Sequence, residues 1–230
     1  MFPIRDNVPV KRFPFVNWAI IAANAYVFFR ELALGADLEP FIRRYGLVPL
    51  RYAKHGMLAK VGLVSYLTPF FSSMFLHAGW IHIISNMWVL YIFGDNIEDR
   101  LGHFKYLFFY IACGLAAAAA QVWFSWGSPV PTIGASGAIA GVMGAFFILY
   151  PFARVATLIP IFIFFKIVEI PAAIFLALWL WIQFYSGNAA LSGHETSGVA
   201  WWAHIGGFLS GVVLLTVFLG SPRGTRSRAY

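Results

Sequence analysis

Gly134-Ala135-Ser136-Gly137 opens one apolar stretch of the sequence, and Ala203-His204-Ile205-Gly206-Gly207 lies inside another. A hydroxyl and an imidazole, each beside glycine, stand where a chain buried in lipid tolerates polar groups least. Polar and ionisable residues in such segments are expensive to keep, so they point to function. Serine and histidine are also the minimum parts of a nucleophilic hydrolase: the hydroxyl attacks and the imidazole takes its proton.

The surroundings of the two stretches set the fold class. Of 230 residues, 60% are hydrophobic and 11% charged, against about 25% charged in an average soluble domain, and the mean hydropathy is +0.76. A chain of this kind spans a membrane, either as helices or as a closed barrel. The apolar runs are continuous rather than alternating, so an all-α, polytopic membrane protein is expected. A single membrane domain over residues 1–230 is anticipated, with 1–15 as an N-terminal segment and 221–230 as a short basic tail. The net charge of +7 does not call for nucleic acid, because the basic residues lie at segment ends and in loops. Cys113 stands alone, which excludes a disulfide framework and a thiolate metal cluster, and its small apolar neighbours describe a packed thiol. Residues 1–16 carry Arg5, Asp6, Lys11 and Arg12 but no short apolar core with a cleavage site. They are not read as a signal peptide, and the first span is expected to remain in the protein.

Six candidate spans follow, at about 16–36, 68–94, 104–126, 136–150, 170–186 and 200–220, judged against the roughly 20 apolar residues that cross a bilayer core. Residues 37–67 read as a long, charged first loop partly inserted at the interface, and Val155 to Ile170 as an interfacial or looped approach. Gly187 to Gly198 reads as the fifth loop. An even number of spans puts both termini on one side. Ten basic residues fall on that side against six on the other, the six all in or beside the first loop. By the positive-inside rule both termini are expected in the cytoplasm, and the chain is placed in a bacterial cytoplasmic membrane.

Spacing then brings the polar residues to one depth. His82 precedes Arg100 by 18 residues, Ser136 precedes Arg154 by 18, and His204 precedes Arg223 by 19. On helices each polar group lies about 27–29 Å from its arginine. Gly137-Ala-Ile-Ala-Gly141 and Gly207-Phe-Leu-Ser-Gly211 are GxxxG patterns, which let helix backbones approach closely in lipid. His82 and Asn86 share a helix face at i, i+4. Both can donate hydrogen bonds, and donors converging near a serine are the parts of an oxyanion hole. His77 lies five residues earlier, near the outer mouth.

HAGWIHIISN, GASGAIAGVMG and AHIGGFLSG, in this order on the second, fourth and sixth spans, resemble the three signatures of rhomboid intramembrane serine proteases. The resemblance covers essentially the whole chain, and Glu98-Asp-Arg-Leu-Gly102 resembles the family's turn between the second and third spans. The first loop departs from many members in lacking a Trp-Arg pair. The resemblance implies a six-helix bundle and a Ser136–His204 dyad without an aspartate. It implies oxyanion stabilisation by His82, Asn86 and the Ser136 backbone N–H, with Gly134 shaping the loop. It implies no cofactor and no metal. The partners it implies are the lipid bilayer and a transmembrane protein substrate with a single span, cut near its outer end after a small residue.

Each residue alone has a plainer reading. A serine before glycine is ordinarily a helix cap, and a lone membrane histidine ordinarily a structural residue or pore liner; the combination carries the assignment. A haem or quinone protein would have no use for Ser136 framed by glycines. An inactive relative would typically lack the serine or the histidine. A transporter would show an internal repeat. His55, His103 and His194 read as loop or interface residues. The fifth span, between Pro171 and Gly187, is the expected gate for a substrate arriving from the bilayer, with Phe175, Trp179 and Ile182 packed against the second span.

Overall fold

The apolar runs fold as helices, as the absence of water in a bilayer core requires of their backbone polar groups. The computed structural model describes residues 2–161, 164–192 and 198–219. A strand, β1 (Phe2–Asp6), leads into α1 (Phe15–Leu32), and α2 (Leu38–Tyr45) follows at a bend of 115°. Then come α3 (Pro49–Ala53), α4 (Met57–Ser72), α5 (Trp80–Leu101), α6 (His103–Phe124) and α7 (Ser136–Leu149). A hairpin of β2 (Arg154–Ile161) and β3 (Phe164–Pro171) precedes α8 (Ala172–Leu191) and α9 (Trp201–Leu219).

The helical membrane bundle expected from the sequence is present, with changes in its parts. Among the described residues four helices are long and apolar enough to cross a membrane: α4 with the turn that follows it, α6, α8 and α9. The bent α1–α2 pair would make a fifth. Two of the expected spans fall short of that test. In α5, His82, Asn86, Asp95, Asn96 and Glu98 dilute the hydropathy, and α7 has only 14 residues. The expected span at 68–94 is two elements, because the chain breaks between Ser73 and Gly79 and α5 starts only at Trp80. The long first loop contains a helix, α4, kinked at Gly62. The stretch expected to be a looped approach is the β2–β3 hairpin, paired from Arg154↔Pro171 to Ile161↔Phe164, with β1 antiparallel on the other edge of β2. The fifth helix runs past Gly187 to Leu191, so the loop after it is shorter than expected. The basic tail 221–230 and His194 lie outside the described residues.

A polar knot fixes one end of the bundle. Glu98, 1% exposed, accepts the backbone N–H groups of Val16 at 2.9 Å and Asn17 at 2.7 Å and meets Nδ1 of His103 at 2.5 Å. Asn17 in turn donates to the Leu90 carbonyl and accepts the Tyr106 hydroxyl. The start of α1, the end of α5 and the start of α6 therefore coincide. Between α5 and α6, Gly102 turns the chain at φ +80°, in the left-handed region that disfavours a Cβ. Lys105 adds the end of α9 by donating to the Phe218 carbonyl at 3.0 Å. The first and last described residues thus sit at the same end, where Trp88 also ties down β1 through the Pro3 carbonyl.

The core lies around α7, whose residues Gly137 through Phe146 are all buried. Phe93 and Ile97 of α5, Phe109 and Tyr110 of α6, Leu176 of α8 and Phe208 of α9 pack with it. At the crossing of α7 and α9, glycines stand on both helices. A Cβ on Gly207 would overlap the Gly137 carbonyl, and one on Gly211 would overlap the Gly141 backbone. The two GxxxG segments therefore meet backbone to backbone, as their pattern predicts. Gly211→Ala should separate the helices and lower stability by about 1–3 kcal/mol, the usual cost of overpacking, read as a fall in the unfolding midpoint in detergent. Val213→Ala, at a position of α9 that is 64% exposed, is the control and should be near neutral.

Candidate active site

Three polar side chains stand at the starts of three helices. Ser136 is the first residue of α7, His82 the third of α5 and His204 the fourth of α9. The shared depth read from sequence spacing becomes a contact: His204 Nε2 lies 2.8 Å from Ser136 Oγ. The backbone approach of α7 to α9 makes this distance possible, since Ser136 and His204 lie next to Gly137 and one turn before Gly207. Both side chains are half-buried.

The loop before Ser136 is held from two sides. Leu47 and Thr132 exchange backbone hydrogen bonds at 3.0 and 2.8 Å, and the Gly134 N–H donates to the Ser73 carbonyl at 2.8 Å. Gly134 has φ +124°, and a Cβ there would come within 2.7 Å of His82 Nε2 and 3.6 Å of Asn86 Nδ2. Both features demand glycine. They also show that His82 and Asn86 face the peptide immediately before Ala135-Ser136. The Ala78 N–H donates to His82 Nδ1 at 3.3 Å, so that nitrogen is an acceptor and Nε2 carries the proton toward Gly134. Asn86 Nδ2 is buried with no partner among the described residues. The N–H of Ser136, at the first position of its helix, has no carbonyl one turn behind it. His82 Nε2 and Asn86 Nδ2 thus both lie beside Gly134, two residues before the serine, at the N-terminal ends of α5 and α7, where the helix dipoles are positive. This set is suited to a developing negative charge.

His77 joins the cluster less directly. It is buried, its ring stands 5.0 Å from that of His82, and its backbone N–H donates to the carboxylate of Glu31 at 3.1 Å. Glu31, 2% exposed at the end of α1, was not singled out from the sequence, although a carboxylate in an apolar helix is a signal in itself. Gln183 of α8 was also missed as a site residue, and Trp179 was singled out only for the gate. Gln183 Oε1 lies 2.7 Å from His204 Nδ1, and the Trp179 ring lies 5.9 Å from the imidazole at 34°. Gln121 of α6 accepts the Ala203 N–H at 3.0 Å and so holds the first turn of α9. Of the expected gate residues, Phe175 faces α5, its ring 6.4 Å from Phe93. Trp179 faces α9 instead, against His204 and Phe208, and Ile182 is exposed. Trp179 lies one turn beyond Phe175 on α8, and the neighbour its ring meets there is α9. His103 is bonded to Glu98, and Glu169 is an exposed strand residue 3.8 Å from Arg154.

A cavity of 20 Å³ touches Ser136, with Ser73, Thr132, Gly134 and Ala203 in its wall. That is room for about one water molecule.

Comparison with known proteins identifies the family. A family model described as Rhomboid domain matches residues 65–221. Rhomboid protein 1, mitochondrial, of Saccharomyces cerevisiae is 26% identical over 167 residues, covering 71% of this chain and 45% of that protein. RHOMBOID-like protein 6, mitochondrial, of Arabidopsis thaliana is 28% identical over 211 residues, covering 83% and 61%. Presenilin-associated rhomboid-like protein, mitochondrial, of Bos taurus is 28% identical over 208 residues, covering 86% and 47%. The chain spans about half the length of the curated relatives it matches. The expected bacterial cytoplasmic membrane is overturned, since these three relatives are named as mitochondrial. The error has a physical source: a bias of lysine and arginine distinguishes the two faces of a membrane, not one membrane from another.

The descending loop and the polar side chains around Ser136 predict that water reaches it from the end of the bundle opposite the termini. Ser136→Cys in a Cys113→Ser background should react with a hydrophilic maleimide presented from that side of a reconstituted vesicle. Full protection in folded protein would exclude a hydrated site.

Proposed function

The chain belongs to the rhomboid family, and from that membership and the Ser136–His204 geometry we propose that it is an intramembrane serine endopeptidase. The observation that carries the proposal is the 2.8 Å contact between Ser136 Oγ and His204 Nε2. A hydroxyl is a weak nucleophile until an adjacent base accepts its proton. In this reading Ser136 Oγ attacks a peptide carbonyl of the substrate while His204 Nε2 takes the hydroxyl proton. The carbonyl oxygen, now negative, is held by His82 Nε2–H, Asn86 Nδ2–H and the Ser136 N–H. The C–N bond breaks as His204 returns the proton to the leaving amine. Water, activated by the same imidazole, then releases the acyl group and regenerates Ser136.

The substrate is read as a single-span membrane protein. A helix hides its carbonyls in hydrogen bonds, so a transmembrane substrate must unwind before attack. Glycine or proline near the cut eases that step, by about 1 and about 3 kcal/mol relative to alanine. A substrate arriving from the bilayer would pass between α5 and α8, where Phe175 and Phe93 are the packed aromatic pair.

Ser136→Ala and His204→Ala should each abolish cleavage of a model single-span substrate, with Ser136→Ala also losing labelling by a fluorophosphonate. Near wild-type turnover in either variant would refute the dyad. His82→Ala and Asn86→Ala should each slow cleavage about 10²–10³-fold, the usual loss on removing one oxyanion donor. A separate measurement addresses access. Phe175→Ala should speed cleavage of a membrane-embedded substrate more than that of a soluble peptide, and equal effects on both would remove α5–α8 as the route.

A further inference from the structure

Gln183 is a polar side chain, 5% exposed, on an α8 that is otherwise apolar toward the bundle. Its two ends make different contacts. Nε2 lies 3.1 Å from the Trp179 carbonyl, and Oε1 lies 2.7 Å from His204 Nδ1. A carbonyl can only accept, so the amide nitrogen of Gln183 must face Trp179. This leaves Oε1 toward His204, and an oxygen that can only accept requires a proton on Nδ1. A neutral imidazole protonated at Nδ1 has its lone pair on Nε2, the nitrogen 2.8 Å from the Ser136 hydroxyl. The chain of hydrogen bonds from the Trp179 carbonyl to Ser136 thus has one consistent direction, and the serine proton points at the base.

We infer that Gln183 is a positioning residue that selects the Nδ1–H tautomer of His204 and holds its ring toward Ser136; this rests on the reading of Ser136 and His204 as nucleophile and base. Few other groups can do this work. The Trp179 and Trp201 rings flank the imidazole at 5.9 and 6.2 Å and offer it no acceptor. When His204 takes the serine proton it becomes a cation, and the bond from Nδ1–H to Gln183 becomes charge-assisted and stronger. An interaction that strengthens only as charge develops raises kcat and leaves KM nearly unchanged. Because Gln183 sits on α8, the orientation of the base depends on the seating of a helix that carries neither catalytic group.

The test uses two substitutions in the full chain. Gln183→Leu removes the acceptor at similar volume. Gln183→Glu retains it: a neutral carboxyl accepts from Nδ1–H with its carbonyl and donates its O–H to Trp179. Two readouts are needed. The first is kcat and KM on a model single-span substrate. The second is the side-chain ¹⁵N spectrum of histidine-labelled protein, with the His204 signal assigned by its loss in His204→Ala. Gln183→Leu should lower kcat about 10–10²-fold, as for loss of a hydrogen bond to a charged group, with KM within about twofold, and should shift His204 from the Nδ1–H tautomer toward Nε2–H. Gln183→Glu should restore kcat to within a few-fold. If Gln183→Leu fails to fold, Gln183→Met repeats the test with a longer apolar side chain. A wild-type kcat with an unchanged tautomer in Gln183→Leu would overturn the inference. So would a folded Gln183→Glu as slow as Gln183→Leu, which would make the role one of packing. A wild-type protein that neither cleaves nor labels with fluorophosphonate would refute the dyad itself. The spectrum would still decide whether Gln183 sets the tautomer.

Discussion

The contact between the backbones of α7 and α9 is the constraint on which the site depends. Gly137 and Gly141 on one helix face Gly207 and Gly211 on the other, with no room for a Cβ at the crossing. Helices in lipid gain nothing by hiding apolar surface from one another, since the lipid is as apolar as they are; close packing and polar contacts drive their association. Glycine makes the approach close enough for dispersion between backbones. The same approach brings an imidazole within hydrogen-bond distance of a serine that lies one residue from the crossing. A pair of ordinary leucine-faced helices, 8–10 Å apart, would place the hydroxyl and the ring too far from each other. Gly144 repeats the arrangement farther along, where a Cβ would overlap the Phe208 carbonyl. The crossing is therefore held over several turns rather than at a single point.

Around this contact several buried polar groups tie the bundle together through hydrogen bonds. Glu98 holds the first turn of α1, Asn17 joins α1 to α5 and α6, and Gln121 holds the first turn of α9. Those beside Ser136 are not all satisfied. Asn86 Nδ2 and both ring nitrogens of His77 are buried without partners among the described residues. An orphaned donor in a low-dielectric interior costs about 1–3 kcal/mol, so a fold retains it only under constraint. Here Gly134 and the Ser73 carbonyl hold the loop against His82 and Asn86, which keeps these side chains beside the peptide that leads into Ser136.

What could be read from the sequence follows from what a sequence displays. Ser136, His204, His82 and Asn86 stood out as polar residues in apolar runs, and the glycine spacing told which runs would touch. Gln183 is also a polar residue in an apolar run, but its role depends on which helix face it shares with Trp179 and on where α9 begins. Nothing in the local sequence gives either. The hairpin was hidden for a different reason. Pro160 and Pro171 argued against regular structure, yet Pro160 lies beyond the pairing of β1, which reaches only Leu158, so its missing N–H falls on an open edge. In the first loop, the charges of Lys54 and Lys60 masked an apolar helix that faces outward along its first half and packs inward at Pro69 and Phe70.

The length of α7 completes the argument. Fourteen residues of helix span about 21 Å, well short of a bilayer core about 30 Å thick. A helix that short and exposed to lipid would leave backbone groups at both ends unsatisfied in hydrocarbon. α7 avoids this by being enclosed: its residues from Gly137 to Phe146 are buried by α5, α6, α8 and α9. At its far end Tyr150 and Ala153 lead into the sheet, and the Ala172 N–H returns to the Ala153 carbonyl. At its near end the chain must descend into the bundle to reach Ser136, and the Leu47–Thr132 bridge and the Ser73 carbonyl carry it down. Shortness, enclosure and a descending loop are therefore one device. Together they put a serine, and a cavity that holds about one water, below the surface of a bundle whose outer faces remain apolar.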